Sequence, residues 1–362
     1  MPIISILTSP DDIHAQAVCL ALKRKKCQRK TVILDFSDIN LYKHLALSSQ
    51  PESKMASLKI GRSRIFLRDI RTVWYRKHRR SNLARDHTEA FLDSERDQAY
   101  TAFVASLQAA FWVNPYFSEY RAENKLAQLQ TAQEIGLMVP RTLISSDPRI
   151  IRDFFKSCNS KMVYKLMGSC LPGRGMVYTS LISAAVLKNS AALSAAPCLM
   201  QEFIPKQADV RVNVIGTRVF ATKILSQEQD ASKVDFRAQE DYWYKLKHEP
   251  LLLPSRLQSK CAALVRRLGL RFGAIDFALT PSNDFIFLEI NPSAQWTWIE
   301  NLTGQPLLEN FCELLAQGRV DYKDSSLRRR VRLKDLAGDL PGILSDDMPG
   351  KPYAPKVSSL TI

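Results

Sequence analysis

Residues 273–293 read GAIDFALTPSNDFIFLEINPS, two alternating runs joined by Pro281, Ser282, Asn283 and Asp284. This stretch restricts the fold more than any other. Alternation on both sides of a cluster of turn formers predicts an antiparallel hairpin with one buried face. A four-residue turn over 281–284 sets Thr280 opposite Phe285 and Asp276 opposite Glu289. One face then carries Ile275, Phe277 and Leu279 against Ile286, Leu288 and Ile290, all apolar. The other gathers Asp276, Glu289 and Asn291, because residues two apart share a face. Two carboxylates directly opposed across strands repel each other. A divalent cation between them removes that conflict, and oxygen ligands suit Mg2+, which is held by one or two carboxylates plus phosphate oxygens. A merely solvated face is the competing reading; the apolar reverse side and the added Asn weigh against it.

Mg2+ on a phosphate needs further cations beside it. Lys165 stands in the apolar run MVYKLMG, where an ammonium must find an anion or reach water. The following loop, residues 168–175, holds Gly168, Gly173 and Gly175, whose backbone amides are free to approach phosphate, although their spacing is neither a Walker loop nor a dinucleotide fingerprint. Lys125 falls in a helix predicted over residues 119–136 and ending at Gly136; alone it reads as a surface lysine. A second hairpin turns at Gly216-Thr217. On its first strand Val210, Val212 and Val214 share one face, while Asp209, Arg211 and Asn213 share the other, a stripe expected to face solvent. Arg237 lies in the polar run VDFRAQED.

The N-terminal part has a different texture. Residues 3–8 and 31–36 read as buried strands flanking a helix capped by Asp11, a parallel α/β plan. Residues 48–59 read as a loop, 61–70 as one or two strands and 72–76 as another. Residues 85–110 read as a long helix with Phe91, Ala99, Phe103 and Leu107 at helical spacing. Helices are also predicted over 254–268, with Pro254 in the first turn, and over 307–317.

Hydrophobic residues make up 46% and charged residues 24% of the 362, which excludes a disordered or membrane-spanning chain as the main answer. No stretch approaches the roughly 20 apolar residues a bilayer requires. Met1 is followed by PIISIL, without the features of a secretion signal. The seven cysteines are scattered, with no Cys-x-x-Cys pair, so neither disulfides nor zinc are expected and a reduced, cytoplasmic setting is. The net charge is +15, and residues 1–85, with 18 basic and 6 acidic side chains, hold +12 of it. Such a region attracts nucleic acid or an acidic peptide, or is a solvated surface. The five histidines show no ligand spacing. Trp74, Tyr75, Trp296 and Trp298 read as packing, and Arg76 and Arg79 as peptide contacts or structural ion pairs.

In order along the chain, ENKLAQLQTAQEIGLMVPRT, MVYKLMG, LMQEFIPKQADVRVNVIG and the 273–293 hairpin resemble the ATP-grasp ligases. DIRTVWYRKHRR is similar to the Val-Trp-Tyr-Arg signature of the pre-ATP-grasp domain in the microviridin-type, or graspetide, peptide maturases. LEINPSAQWTWIENLTG is similar to their metal strand and its extension. The resemblance spans about residues 1–317. It implies an α/β (α+β in the catalytic part) architecture: a pre-ATP-grasp α/β domain over 1–115, an ATP-grasp domain over 116–322 with lobes of about 140–205 and 206–322, and a peripheral basic tail over 323–362.

The same resemblance implies roles. Lys125 and Lys165 would bind ATP; Gln201, Glu202, Phe203 and Ile204 would form the hinge whose backbone reads adenine, with Asp209 near ribose or phosphates. Arg211 and Arg237 would steady the transferring phosphoryl group and the acyl phosphate, and Asp276, Glu289 and Asn291 would hold Mg2+, as a pair of ions. The implied reaction joins Asp/Glu side chains of a precursor peptide (leader and core, often acidic) to Ser/Thr hydroxyls or Lys amines, with a homodimer as the expected assembly and neither membrane nor nucleic acid as partner. Two alternatives stay open: a ligase adding amino acids to a peptide or protein carboxylate, and a non-catalytic basic nucleic-acid-binding protein.

Overall fold

The structure is a computed structural model that describes residues 1–50, 56–76, 86–168, 178–228, 232–237, 245–324 and 329–340. Gly173, Gly175, Arg79 and the end of the predicted basic tail lie outside the described residues.

The N-terminal part alternates β1 (Ile3–Leu7), α1 (Ile13–Arg24), β2 (Lys30–Leu34), α2 (Ile39–Tyr42), β3 (Leu45–Ala46), β4 (Ser57–Ile60), β5 (Ser63–Phe66), β6 (Ile70–Tyr75), α3 (His87–Ser106) and β7 (Phe111–Val113). β2-β1-β6-β7 form a parallel sheet, and β3-β4-β5 a small antiparallel one. All five residues of β1 are buried, as expected of a central parallel strand covered on both faces. The cap of α1 is Asp12, not Asp11: its carboxylate accepts from the amides of His14 and Ala15. β4 begins inside the stretch read as a loop. The long helix ends at Ser106 because residues 111–113 join the sheet, and only its C-terminal half is buried: Phe91 is exposed, whereas Tyr100, Phe103 and Val104 are in the core.

Two helices, α4 (Tyr116–Ala122) and α5 (Lys125–Glu134), replace the single one expected. The break is Asn124, whose side chain accepts from the amide of Ala127 and starts a new helix at Lys125. A four-stranded antiparallel sheet, β10-β9-β11-β8, follows, built from β8 (Thr142–Ser145), α6 (Pro148–Ser157), β9 (Met162–Lys165), β10 (Ser180–Leu181), α7 (Ala184–Lys188), α8 (Ser190–Ser194) and β11 (Cys198–Glu202). Ile151, Leu187 and Leu193 of its helices bury Met162 and Met200.

The last sheet is five-stranded and antiparallel, β14-β13-β12-β15-β16. Its elements are β12 (Ala208–Ile215), β13 (Arg218–Ile224), β14 (His248–Leu251), α9 (Ser255–Arg267), β15 (Phe272–Leu279), β16 (Phe285–Asn291), α10 (Thr297–Thr303) and α11 (Leu307–Gln317). Pro254 precedes α9 instead of lying in its first turn. Val210, Val212, Val214, Ile275 and Phe277 pack against α5 and α9. α10, which was not expected, covers the opposite face with α11.

The metal hairpin departs from the expected register. Its turn closes through Thr280 N to Asp284 O at 2.9 Å, with Asn283 left-handed at φ 63°, so Leu279 and not Thr280 opposes Phe285. A bulge then leaves Leu288 unpaired and restores Asp276 opposite Glu289. Phe287, not Leu288 or Ile286, therefore enters the core. Beyond Asp324, part of the stretch read as a peripheral tail is interior: Val331, Leu333 and Leu336 are buried, with Glu300 accepting the amide of Leu333 at 2.9 Å. The six described cysteines are free thiols. Among the described residues no helix is long and apolar enough to cross a membrane.

Candidate active site

The four-stranded and five-stranded antiparallel sheets face each other across a cleft. Val163 and Lys165 of β9 and residues 201–204 line one wall; Asp209, Asp276, Ala278, Leu288 and Glu289 line the other; Asp235, Phe236 and Arg237 close a third side. Lys165 projects here because β9 alternates, with Met162 on the helix-covered side. Leu288 reaches the cleft only through the bulge.

Gln201–Ile204 is held from outside. Arg141 grips the Glu202 carboxylate at 2.9 and 3.1 Å and donates to Ser157 O at 2.6 Å. Gln201 Nε2 donates to Thr142 Oγ1 at 3.0 Å, and Phe203 N to Lys161 O at 3.1 Å. The Glu202 side chain is thereby engaged away from the cleft, and the backbone of this segment forms its rim.

The polar stripe of β12 does not face solvent. Asp209, Arg211 and Asn213 are 6%, 6% and 0% exposed. Lys206, which the sequence reading passed over, donates to Asp209 Oδ1 at 2.8 Å and to Val234 O at 3.1 Å. It lies two residues before β12, all of whose positions are buried, a fact the sequence does not announce. Asp209 Oδ2, Arg211 Nη1 and both amide atoms of Asn213 are buried without a hydrogen-bond partner. Buried polar atoms without partners are costly and ordinarily mark a function or an absent ligand.

At the metal hairpin, Arg211 Nε lies 3.1 Å from Asp276 Oδ1, Lys125 Nζ 2.6 Å from Glu289 Oε2, and Arg237 Nη1 3.6 Å from Glu289 Oε1. Asn291 Nδ2 donates to Asp276 at 3.2 Å and to Glu289 at 3.5 Å. Arg237 is itself oriented by two bonds to Asp235, at 2.9 and 3.0 Å, a partner the sequence reading missed. Arg211 also lies over the Trp298 ring, 5.7 Å from its centroid, so this tryptophan does more than fill space. Trp74 and Trp296 are core residues.

Burial opposes the charge of Glu289, but Lys125, Arg237 and Lys165 outweigh it and hold that carboxyl well below the usual range. For Asp276 burial wins over Arg211 and Arg237, with the Glu289 charge adding to it, and the group is pushed up to about 6. Burial likewise lowers Lys165, and repulsion from Lys125 and Arg237 assists while Glu289 opposes. Glu289 thus stays ionised over a wider pH range than an ordinary glutamate, and Asp276 over a narrower one than an ordinary aspartate.

The residues fit a hard cation. Among the described residues no three His, Cys, Asp or Glu side chains form a metal cluster. The donor set is two opposed carboxylates and an amide, Asp276, Glu289 and Asn291, which leaves the remaining positions to phosphate oxygens and water, the Mg2+ pattern. Lys125 and Lys165, 201–204, Asp209, Arg211, Arg237, Asp276, Glu289 and Asn291 each line this cleft or pair with a residue that does.

No family model matches the chain. A probable alpha-L-glutamate ligase of Shewanella loihica is 28% identical over 203 residues, 55% of this chain and 65% of its own length, just under two thirds. One of Vibrio atlanticus is 26% identical over 213 residues, 58% of this chain and 68% of its own. Among solved structures, the macrocyclase MdnC of Microcystis aeruginosa, bound with its precursor peptide MdnA, superposes with a TM-score of 0.75 at 26% identity, covering 87% of this chain and 99% of that one. A Chryseobacterium gregarium RiPP-associated ATP-grasp ligase, in complex with ADP and a leader and core peptide, gives 0.79 at 23% identity, over 91% and 100%. Two opposed carboxylates among lysines and arginines thus lie between two antiparallel sheets of a chain that has the ATP-grasp fold and is similar in sequence to ligases.

Proposed function

We propose that the chain is an ADP-forming ligase that activates carboxylates of a precursor peptide as acyl phosphates and passes them to Ser/Thr hydroxyls or Lys amines of the same peptide, closing ester or amide rings. The observation that supports this reading most is the Asp276–Glu289 pair, opposed across β15 and β16 with Lys125, Arg211 and Arg237 on its oxygens.

A carboxylate does not condense with an alcohol at neutral pH, because the oxygen to be displaced leaves poorly. Phosphorylation by ATP converts it into a good leaving group. Lys165, Lys125, Lys206, Arg211 and Arg237 supply five positive charges to the cleft, against four from Asp209, Asp235, Asp276 and Glu289. A triphosphate of roughly four negative charges would overfill that balance, so the site calls for divalent cations, and a pair of Mg2+ ions restores it. Held by Asp276, Glu289 and Asn291, such ions would neutralise charge on the phosphates. The chain's own part is positional and electrostatic: Lys125 and Lys165 orient the phosphates, the 201–204 backbone seats the base, Asp209 takes the ribose or phosphate side, and Arg211 and Arg237 stabilise the transferring group and the acyl phosphate. The basic N-terminal region would draw an acidic peptide, and the expected assembly is a homodimer.

Carboxylate-18O peptides bearing Asp, Glu, Thr, Ser and Lys, incubated with ATP and Mg2+, provide the test. The expected products are peptide lighter by one water per bond, ADP, and phosphate carrying one 18O. ADP release without peptide change, or salt-sensitive DNA or RNA binding with no ADP, would sink the reading. The names of the curated relatives favour a second reading, addition of glutamate or another amino acid to a carboxylate; a residue-sized mass gain would reveal it.

A further inference from the structure

β16 is the edge of its sheet, so its C-terminal end and the backbone beyond Asn291 must find hydrogen bonds other than those of a neighbouring strand. Side chains from elsewhere supply them, residue after residue. Gln128 bonds both backbone groups of Ile290, at 2.9 and 3.0 Å. Asn114 Nδ2 donates to Pro292 O at 2.9 Å, while its Oδ1 accepts the amides of Arg271 and Phe272 at 2.8 and 2.9 Å. Arg76 donates to Ser293 O, and Ser293 Oγ donates to Glu119. His14 Nε2 accepts the Trp296 amide at 3.3 Å and lies 3.1 Å from Thr297 Oγ1.

Arg76 is the pivot of this set. It stands directly after β6 and is 3% exposed. Its Nε lies 3.4 Å from Asp12, its Nη2 3.4 Å from His14 Nδ1, and its Nη1 is spent on Ser293. Although its Nε makes no hydrogen bond, the guanidinium is buried against Asp12, His14 and Ser293, which favours the structural ion pair over a peptide contact. Stability alone accounts poorly for that pair, because a buried guanidinium is expensive where an apolar side chain would pack as well.

We propose that Arg76, held by Asp12 and His14, is a positioning residue: the N-terminal sheet uses it to fix residues 291–296 so that Asn291 stays against Asp276 and Glu289. The inference rests on the ligase reading above. It assigns the N-terminal sheet a direct part in building the metal site.

A second buried cation at the same interface serves as control. Lys25, 1% exposed, lies 3.8 Å from both Glu309 and Glu313 and bonds nothing in the metal strand. Whole-chain Arg76→Met, Arg76→Lys and Lys25→Met are compared with wild type by electron paramagnetic titration of Mn2+ in the presence of a non-hydrolysable ATP analogue, alongside analogue binding without metal and thermal melting. Arg76→Met is expected to weaken Mn2+ binding about 10–100-fold, the usual cost of losing a group that orients a ligand. Metal-free analogue binding should stay within about twofold of wild type, since Arg76 touches no nucleotide-lining residue. Arg76→Lys, which keeps a donor for Ser293 O, recovers part of the loss. Lys25→Met lowers the melting temperature at wild-type Mn2+ affinity. The proposal fails if Arg76→Met binds Mn2+ like wild type well below its melting temperature, or if Lys25→Met weakens Mn2+ equally. Wild type taking up no Mn2+ with the analogue would overturn the ligase reading as well, and so is told apart from a failure of the Arg76 role alone.

Discussion

β1 and β12 are equally hidden from water. β1 is buried at all five positions and β12 at all eight. β1 spends that burial on Ile-Ile-Ser-Ile-Leu and leaves one side-chain atom, Ser5 Oγ, without a hydrogen-bond partner. β12 alternates valines with Asp209, Arg211 and Asn213 and leaves four such atoms, besides Arg211 Nε, which pairs with Asp276. Each unsatisfied buried polar atom costs about 1–3 kcal/mol, so one face of β12 works against folding while its valines work for it. The difference teaches where to look for chemistry: burial alone marks a core, and burial of charge with incomplete partners marks a site that a ligand completes.

That contrast is open to attack by substitution on each face of one hairpin. On the polar face, Glu289→Gln keeps shape and removes a charge. ADP formation should fall by about 10³-fold or more, the scale of losing a charge-handling group in phosphoryl transfer, a larger loss than the accompanying drop in melting temperature from leaving Lys125 and Arg237 without their partner. A large fall in stability with activity retained would reverse the assignment of the two faces. On the apolar face, Phe277→Ala empties a fully buried site between Phe285 and Phe287. It should cost about 3–5 kcal/mol in urea unfolding, and the folded fraction should keep its KM for ATP. A raised KM with unchanged stability would count against the separation.

How much of this was legible in advance follows the range of the physics. Alternation is local, so the hairpins and the Asp276–Glu289 opposition could be read from the chain. The turn was misread by one residue, because Asn283 adopts a left-handed conformation that nothing in the pattern announces, and the bulge at Leu288 compensated for it. The pairing came out right although its stated path did not. The burial of Asp209 and Arg211 was invisible, since it depends on α10, α11 and the opposing sheet closing over β12. Lys206 and Asp235 were missed for the same reason: each matters through one partner, Asp209 or Arg237, in a folded cleft. Leu333 and Leu336 look like tail residues in a basic, Gly/Pro-bearing stretch, and only α1 and α10 make them core.

The smallest expected effect concerns how the polar face is reached from outside it. Lys125 could not be distinguished from a surface lysine while residues 119–136 were one helix. Asn124 makes the distinction by ending α4 and capping α5, so Lys125 begins a helix beside Glu289 and not midway along one. Asn124→Ala removes the acceptor for the Ala127 amide and should cost about 0.5–2 kcal/mol of stability. If the cap also aims Lys125, the KM for ATP rises a few-fold in the same variant, and Asn124→Asp, which keeps an acceptor, restores both. A stability loss with no change in KM would mean that Lys125 finds Glu289 without help from its helix. The polar face would then be organised by its charges alone, as the apolar face is by its packing.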